Sequence, residues 1–515
     1  MAALKSFQEI LYLQKGSDNN EVIQSNDSEA LWIVAWRVWL NIGMESTTPP
    51  QEGETEPYVP SQAFLTALVH IFPAVFQHIR NKFTGPDLQK LCIVLKNAVA
   101  VPVHGESTPY ILPTMPDVVL THLQDGVLHS MELLQKEALN GPDNLRTMIV
   151  LIFLQLLSFS KLACEAPTYG KIPTKHISQI RGVSADWVTM NYVPFGEKAL
   201  SMVVTLYQKT APEMAVIDGQ VLKHIIEALH VPLSMKYACP SPTTWKLAVT
   251  SLLAVLHTGL PLARKYPEQF QNMWPELANT LDDFLFPKSI LNIERGVEEI
   301  QADEAVDCQV MELLRDEVLP HSQYIPHQFI LRVVMLLNKG SIHSATTTNI
   351  ENSGETKLRE EFAKTCFETL LQFSLLDGLN NESDHDTTKS PENDEGGVAG
   401  RLAVTALLHR FQEVLRRYIE NERRSGKCPL PRYRLSEISF VLKAVATLVV
   451  SLKKAPPNKV ERSVWEQLIG LYPCLVECTI ATASGQVSRS LREALLQYHD
   501  LLRPPLHSST TSNGV

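Results

Sequence analysis

Apolar residues recur every three to four positions along most of this chain, the period of an α-helix with one buried face. Asp27 or Ser28 is placed to cap a helix running to Gly43, with Trp32, Trp36 and Trp39 on its core-facing side. Ser61 opens a helix that reaches His70 and resumes at Pro73. Asp87 starts another through Ala100, and Asp117 starts the next, which Asn140-Gly141-Pro142 stops. Asp143 caps an apolar helix from Leu145 to about Cys164. Helical periodicity continues over Phe195 to Lys209, Gly219 to His230, Thr243 to Tyr266, Pro267 to Phe286, Ile293 to Leu319 and Gln328 to Leu337. It returns over Arg401 to Arg424, Leu435 to Lys453, Val460 to Leu471, Pro473 to Ala483 and Val487 to Leu502. No segment requires a strand.

An aromatic followed by proline stands between apolar runs at Phe72-Pro73, Trp274-Pro275 and Tyr472-Pro473. Proline at the first helical position ends one helix and begins the next. The pattern therefore predicts helix–elbow–helix units, unevenly spaced, of the HEAT or armadillo kind. The expected fold is an all-α, HEAT/armadillo-like solenoid of irregular helix pairs, with irregular helical bundles as the alternative. The expected organisation is a helical-repeat segment over 1–338, a polar loop over 339–356 and a helix over 357–377. A disordered acidic linker over 378–400, a helical segment over 401–503 and a frayed tail over 504–515 complete it. Residues 2–14 read as the second helix of a unit with no polar cap before it, which predicts the C-terminal part of something longer.

Composition narrows the function. Hydrophobic residues make up 44% of the 515 positions, enough to bury a core, and the net charge of −10 argues against nucleic-acid binding. The eight cysteines lie mostly inside apolar helical runs and form no CxxC pair, so a reducing, cytosolic setting and no zinc site are expected. The most apolar run, Met148 to Phe159, is too short to span a bilayer and reads as a buried helix. No phosphate-binding loop, zinc-protease, nucleophile-elbow or dinucleotide motif occurs. Asp384, Asp386 and Glu395 fall at offsets of a calcium loop, but Lys389 stands where the turn needs glycine. Neither a catalytic residue nor a cofactor or metal ligand is expected. The irregular stretch from Pro167 to Val193, with Tyr169, Trp187 and Tyr192, is a second candidate surface behind packing.

One charge feature breaks the uniformity. Arg401, Arg410, Arg416, Arg417, Arg423, Arg424, Lys427, Arg432 and Arg434 are opposed over that stretch only by Glu413, Glu420 and Glu422. A solvated helix face with Glu413–Arg417 and Glu420–Arg424 pairs one turn apart accounts for most of it. The competing reading is a docking patch for anionic lipid or an acidic partner, formed by Arg410, Arg416, Arg417, Arg423, Arg424, Lys427, Arg432 and Arg434 and masked by the acidic linker upstream.

Three stretches carry a resemblance. RRYIENERRSGKCPLPRYRLSEISFVLKAV (Arg416 to Val445), SGQVSRSLREALLQYHDLLRPP (Ser484 to Pro505) and VSADWVTMNYVPFGEKAL (Val183 to Leu200) resemble the C-terminal region of the Mon-two, or monensin-sensitivity, family. This family is related to the Sec7-type large Arf exchange factors and lacks their Sec7 domain. The resemblance implies a helical-repeat, non-enzymatic regulator, peripheral on trans-Golgi and early endosome membranes. It implies work in endosome-to-Golgi traffic with Dopey-family proteins and, through them, a phospholipid flippase, and possible contact with Arf-like GTPases. It supplies no catalytic residue. The N-terminal dimerisation and Sec7-upstream homology regions of the family are not recognisable in this chain. The rival expectations are a HEAT-type adaptor for nuclear transport or another assembly, and a regulator of Arf-family GTPases.

Overall fold

The computed structural model describes residues 26–48, 60–100, 120–141, 143–165, 192–239, 241–287, 297–341, 359–376, 395–426, 428–454, 462–482 and 484–502. The regular elements among them are helical, and they divide between two units, Met1–Leu291 and Asn292–Val515.

In the first unit the principal helices are α1 (Asn26–Thr47), α2 (Gln62–Ile79), α3 (Gly85–Ala100), α4 (His122–Asn140), α5 (Ile149–Glu165), α6 (Val193–Thr210), α7 (Val221–Met235), α8 (Pro242–Lys265) and α9 (Met273–Leu285). Their contacts alternate. α1 packs on α3, α3 on α5, α5 on α7 and α7 on α9, while α2 packs on α4, α4 on α6 and α6 on α8. Odd helices thus form one layer and even helices another. The pairs α1·α2, α3·α4, α5·α6 and α7·α8 close the space between them, which is the arrangement of an α-solenoid.

The tryptophan stripe builds the first core. Trp36 and Trp39 are buried and stack with centroids 5.2 Å apart, and Phe72, Phe76 and Phe83 fill in around them. Each indole N–H finds an acceptor: Trp39 donates to the Leu68 carbonyl at 2.9 Å and Trp36 to Asp87 at 3.0 Å. Ser61 caps α2 as its sequence position predicts, accepting from the Phe64 N–H at 3.2 Å. α4 is opened by a capping box, Thr121 with Gln124, rather than by Asp117, which lies outside the described residues.

α5 and α6 approach closely at Gly196. A Cβ on Gly196 would stand 2.7 Å from the Ala163 Cβ and 2.9 Å from the Ser160 carbonyl oxygen, so backbone limits the approach. Replacing Gly196 with alanine is expected to cost about 1–3 kcal/mol, the usual penalty of overpacking, in a urea melt of the chain.

The second unit repeats the alternation. Its helices are α10 (Val297–Leu313), α11 (His327–Gly340), α12 (Glu360–Leu376), α13 (Glu395–Ser425), α14 (Arg432–Lys454), α15 (Arg462–Ala481) and α16 (Gly485–Leu502). α10, α12, α14 and α16 contact in series, as do α11, α13 and α15. α10 runs on through a π turn over Leu314–Val318 and a 3-10 segment over Leu319–Tyr324. The start of α12 rests on α10. The Phe362 N–H donates to Glu304 at 3.0 Å, and Arg359 pairs at 2.8 Å with the wholly buried Asp307. Burial there pushes the Glu304 carboxyl above its ordinary range.

Three sequence expectations change. Pro73 and Pro473 do not divide helices; each lies inside a continuous one, α2 and α15. Proline in a helix interior costs one backbone hydrogen bond, and burial of neighbours such as Phe72 holds the helix through it. Only Trp274-Pro275 stands in a first turn, at the start of α9. The third change is at the acidic linker: residues 395–400 are helical, so α13 begins inside the segment read as linker. Residues 377–394, with Asp384 and Asp386, lie outside the described residues, as do residues 2–14, 342–358 and 503–515.

Within its apolar run α5 buries Ile149, Ile152, Phe153, Leu156, Leu157 and Phe159, while Leu154 is 40% exposed. Among the described residues three other stretches are long and apolar enough to cross a membrane, Ala63–Lys82, Pro242–Lys265 and Arg434–Lys453, and each packs 44% or more of its apolar window inside the protein.

Candidate functional site

The basic stretch lies on α13 and the start of α14. α13 buries Ala403, Leu407, Phe411, Val414, Leu415 and Tyr418, a stripe at helical spacing. Arg410 falls on that stripe, three residues after Leu407 and four before Val414, and is 1% exposed. It is therefore not a docking residue. Its guanidinium donates to Glu437 of α14 at 2.7 Å and stands 3.4 Å from Glu413. Its Nε and Nη1 have no hydrogen-bond partner. Burial pulls its pKa down to about 10, against the opposing pull of the two glutamates.

Most of the remaining arginines are also paired within the chain. Arg434 reaches Glu437 at 3.1 Å, Arg417 reaches Glu413 at 2.6 Å, Arg424 pairs with Glu420, and Arg423 pairs with Glu477 of α15. Among the described residues Arg416 and Arg432 are exposed with no carboxylate at ion-pair distance. Lys427 lies outside the described residues. Glu422, counted against the patch in the sequence, instead accepts from the Tyr418 hydroxyl at 2.7 Å. The patch is thus largely neutralised by glutamates, two of them from other helices.

A different surface stands open beside it. α15 and α16 border a groove of about 1080 Å³ lined by Tyr472, Val476 and Thr479 on one side and by Leu491, Leu495 and Leu496 on the other. Tyr472, Val476 and Thr479 are spaced by four and three residues, so one face of α15 lines the groove along its length. Val476 is 38% exposed, Ile480 84% and Leu496 61%. The ionisable residues of the lining are Arg492 and His499. Thr482 and Ser488 complete the lining, which holds no carboxylate, so the groove is mixed: Val476 and three leucines beside hydroxyl groups and the Arg492 guanidinium.

Elsewhere the described residues hold little that suggests chemistry. No group of three His, Cys, Asp or Glu among them is placed to hold a metal ion. His224 meets Glu227 at 3.1 Å and His230 meets Thr280 at 3.2 Å, both packing contacts on helix surfaces. Of the irregular stretch before α6, Tyr192 is described. Its hydroxyl donates to the Val99 carbonyl at 2.8 Å, which is an anchor rather than a free surface.

A family model described as the C-terminal region of Mon2 protein matches residues 1–505. The Drosophila melanogaster protein MON2 homolog is 54% identical, with the alignment covering 100% of this chain and 32% of that protein. The Homo sapiens protein MON2 homolog is 47% identical over 94% of this chain and 28% of its own length. The Caenorhabditis elegans monensin-resistant homolog 2 is 29% identical over 97% of this chain and 32% of its own. The chain therefore spans a third or less of the relatives it matches. A solved circular tandem repeat protein with novel repeat topology aligns over 93% of this chain and 98% of its own, at 12% identity and a TM-score of 0.34, too distant to carry an argument. On the family match and these relatives, the chain belongs to the Mon2 family and corresponds to its C-terminal region.

Proposed function

We propose that this chain is a non-catalytic scaffold in membrane traffic between endosomes and the trans-Golgi, and that it works by taking an amphipathic helix of a protein partner into the α15–α16 groove. The observation that carries the docking part is the groove itself, where Val476 and the exposed Leu496 stand in a lining that also holds Tyr472, Leu495 and Arg492, with exposed Ile480 one turn beyond Val476. Such a face suits a partner helix with an apolar stripe and a carboxylate. The trafficking part rests on family membership. The partner this reading favours is a Dopey-family protein, bridging to a phospholipid flippase, with the chain peripheral on trans-Golgi and early endosome membranes. The internal pairing of five of the arginines argues against the basic patch as the main contact with anionic lipid.

The test is capture of a Dopey-family protein from cells by the tagged full chain, with microscopy of the same cells. Ile480→Asp with Leu496→Asp changes two exposed side chains, and stability is expected to hold while capture falls about tenfold or more, as for loss of interface anchors. Arg416→Glu with Arg417→Glu is expected to leave capture unchanged. Tagged chain at the nuclear envelope instead of the Golgi would favour an adaptor for nuclear transport. Accelerated nucleotide release from purified Arf-type GTPases would favour an Arf regulator. Either result would overturn the proposal.

A further inference from the structure

We propose that Cys164 and Cys239 form a thiol pair that peroxide converts to a disulfide, joining the end of α5 to the turn before α8. The two sulfurs stand 3.6 Å apart although the residues are 75 positions apart in the chain. A disulfide needs about 2.05 Å. The remaining movement falls on chain ends: Cys164 is the penultimate residue of α5, and Cys239 follows the 3-10 turn Lys236–Ala238. Both are half-buried, so a small oxidant has access.

The corner around them sets distinct roles. The hydrogen bond shared with Cys164, together with backbone groups of Ser241 and Trp245, stabilises charge on Cys239, which lowers its pKa against the opposing effect of burial. The same hydrogen bond, together with burial and the nearby Glu165 and Glu197, pushes Cys164 up. Glu197 is itself fixed, accepting from Thr243 at 2.7 Å and Thr244 at 2.8 Å. Cys239 also stands just before the N-terminus of α8, where a thiolate is favoured, and Cys164 stands at the C-terminal end of α5, where it is not, so Cys239 is the nucleophile and Cys164 the resolving thiol. Cys92, Cys366 and Cys478 are buried, and burial raises their thiols out of reactive range.

Hydrogen peroxide is the oxidant. The Cys239 thiolate attacks one peroxide oxygen; an S–O bond forms, the O–O bond breaks, and hydroxide leaves to become water. Cys239 is then a sulfenic acid. The Cys164 sulfur attacks the Cys239 sulfur; the S–S bond forms, the S–O bond breaks, and the hydroxyl leaves with the Cys164 proton as a second water. The thiol pair loses two electrons and peroxide gains them. A dithiol reverses the reaction by exchange.

The experiment is non-reducing peptide mass spectrometry of the full chain, exposed to dilute hydrogen peroxide and then alkylated. The exposed Cys428 is the internal control. A Cys164–Cys239 linked peptide is expected to accumulate about tenfold faster than Cys428 loses its free thiol, and dithiothreitol should abolish it. In Cys164→Ser, dimedone should trap a sulfenic acid on Cys239. Cys239→Ser should leave Cys164 no faster than Cys428. Oxidation of Cys428 with no linked peptide would overturn the proposal. So would a helical, folded Cys164→Ser chain in which dimedone finds nothing on Cys239.

Discussion

Replacing Glu437 with leucine is expected to destabilise the second unit by about 3–5 kcal/mol, the cost of leaving a buried charge without its partner. Arg410 is 1% exposed, and its best contact is the 2.7 Å bond to Glu437. Glu413 stands further off at 3.4 Å and is itself shared with Arg417. With Glu437 gone, the guanidinium must stay uncompensated or drag α13 away from α14. The second substitution Arg410→Met should recover most of the loss, because an apolar side chain of similar length fills the stripe without needing a counter-charge. The double-mutant cycle in urea measures the coupling. A single Glu437→Leu change that cost under about 1 kcal/mol would place Arg410 in solvent, where ion pairs have that worth.

The first unit has its own weak point at Trp245. This indole is 1% exposed in α8. Tyr237 and Phe284 stand with ring centroids 6.1 Å away, and the buried Lys236 ammonium lies 5.5 Å from its ring and 4.3 Å from that of Phe284. Lys236 sits at the C-terminal end of α7 with a φ of 34°, a conformation that needs support from its surroundings. Trp245→Ala removes one of the three aromatic rings around that ammonium and opens a cavity in the core. A loss of about 3–5 kcal/mol is expected, from the cavity and the weakened cation–π contacts together. Trp245→Phe should cost less than the alanine change in the same urea melt, since it keeps an aromatic face in the box.

Much of the fold was legible because helical periodicity is local. The tryptophan stripe, the Ser61 cap and the long apolar helix stand where the pattern put them. The Thr121-x-x-Gln124 capping box and the place of Arg410 on the Leu407–Val414 stripe were also written in the sequence, and a stricter use of spacing finds both. The aromatic-proline pairs misled because a buried helix tolerates an internal proline, which local propensity opposes. What stayed hidden was non-local. Glu437 is 27 positions from Arg410, and Glu477 is 54 from Arg423, so the basic stretch looks unopposed until the helices are stacked. The groove needs α15 and α16 side by side, and the cysteine pair needs a separation of 75 residues to close.

Hydrogen–deuterium exchange of the full chain, alone and with the purified Dopey-family protein proposed as its partner, tests the scaffold reading most directly. Protection is expected over the groove faces of α15 and α16, around Val476 and Leu496, and it should vanish in the Ile480→Asp, Leu496→Asp chain. Protection confined to the face of α13 that carries Arg416, with α15 and α16 exchanging unchanged, would contradict it.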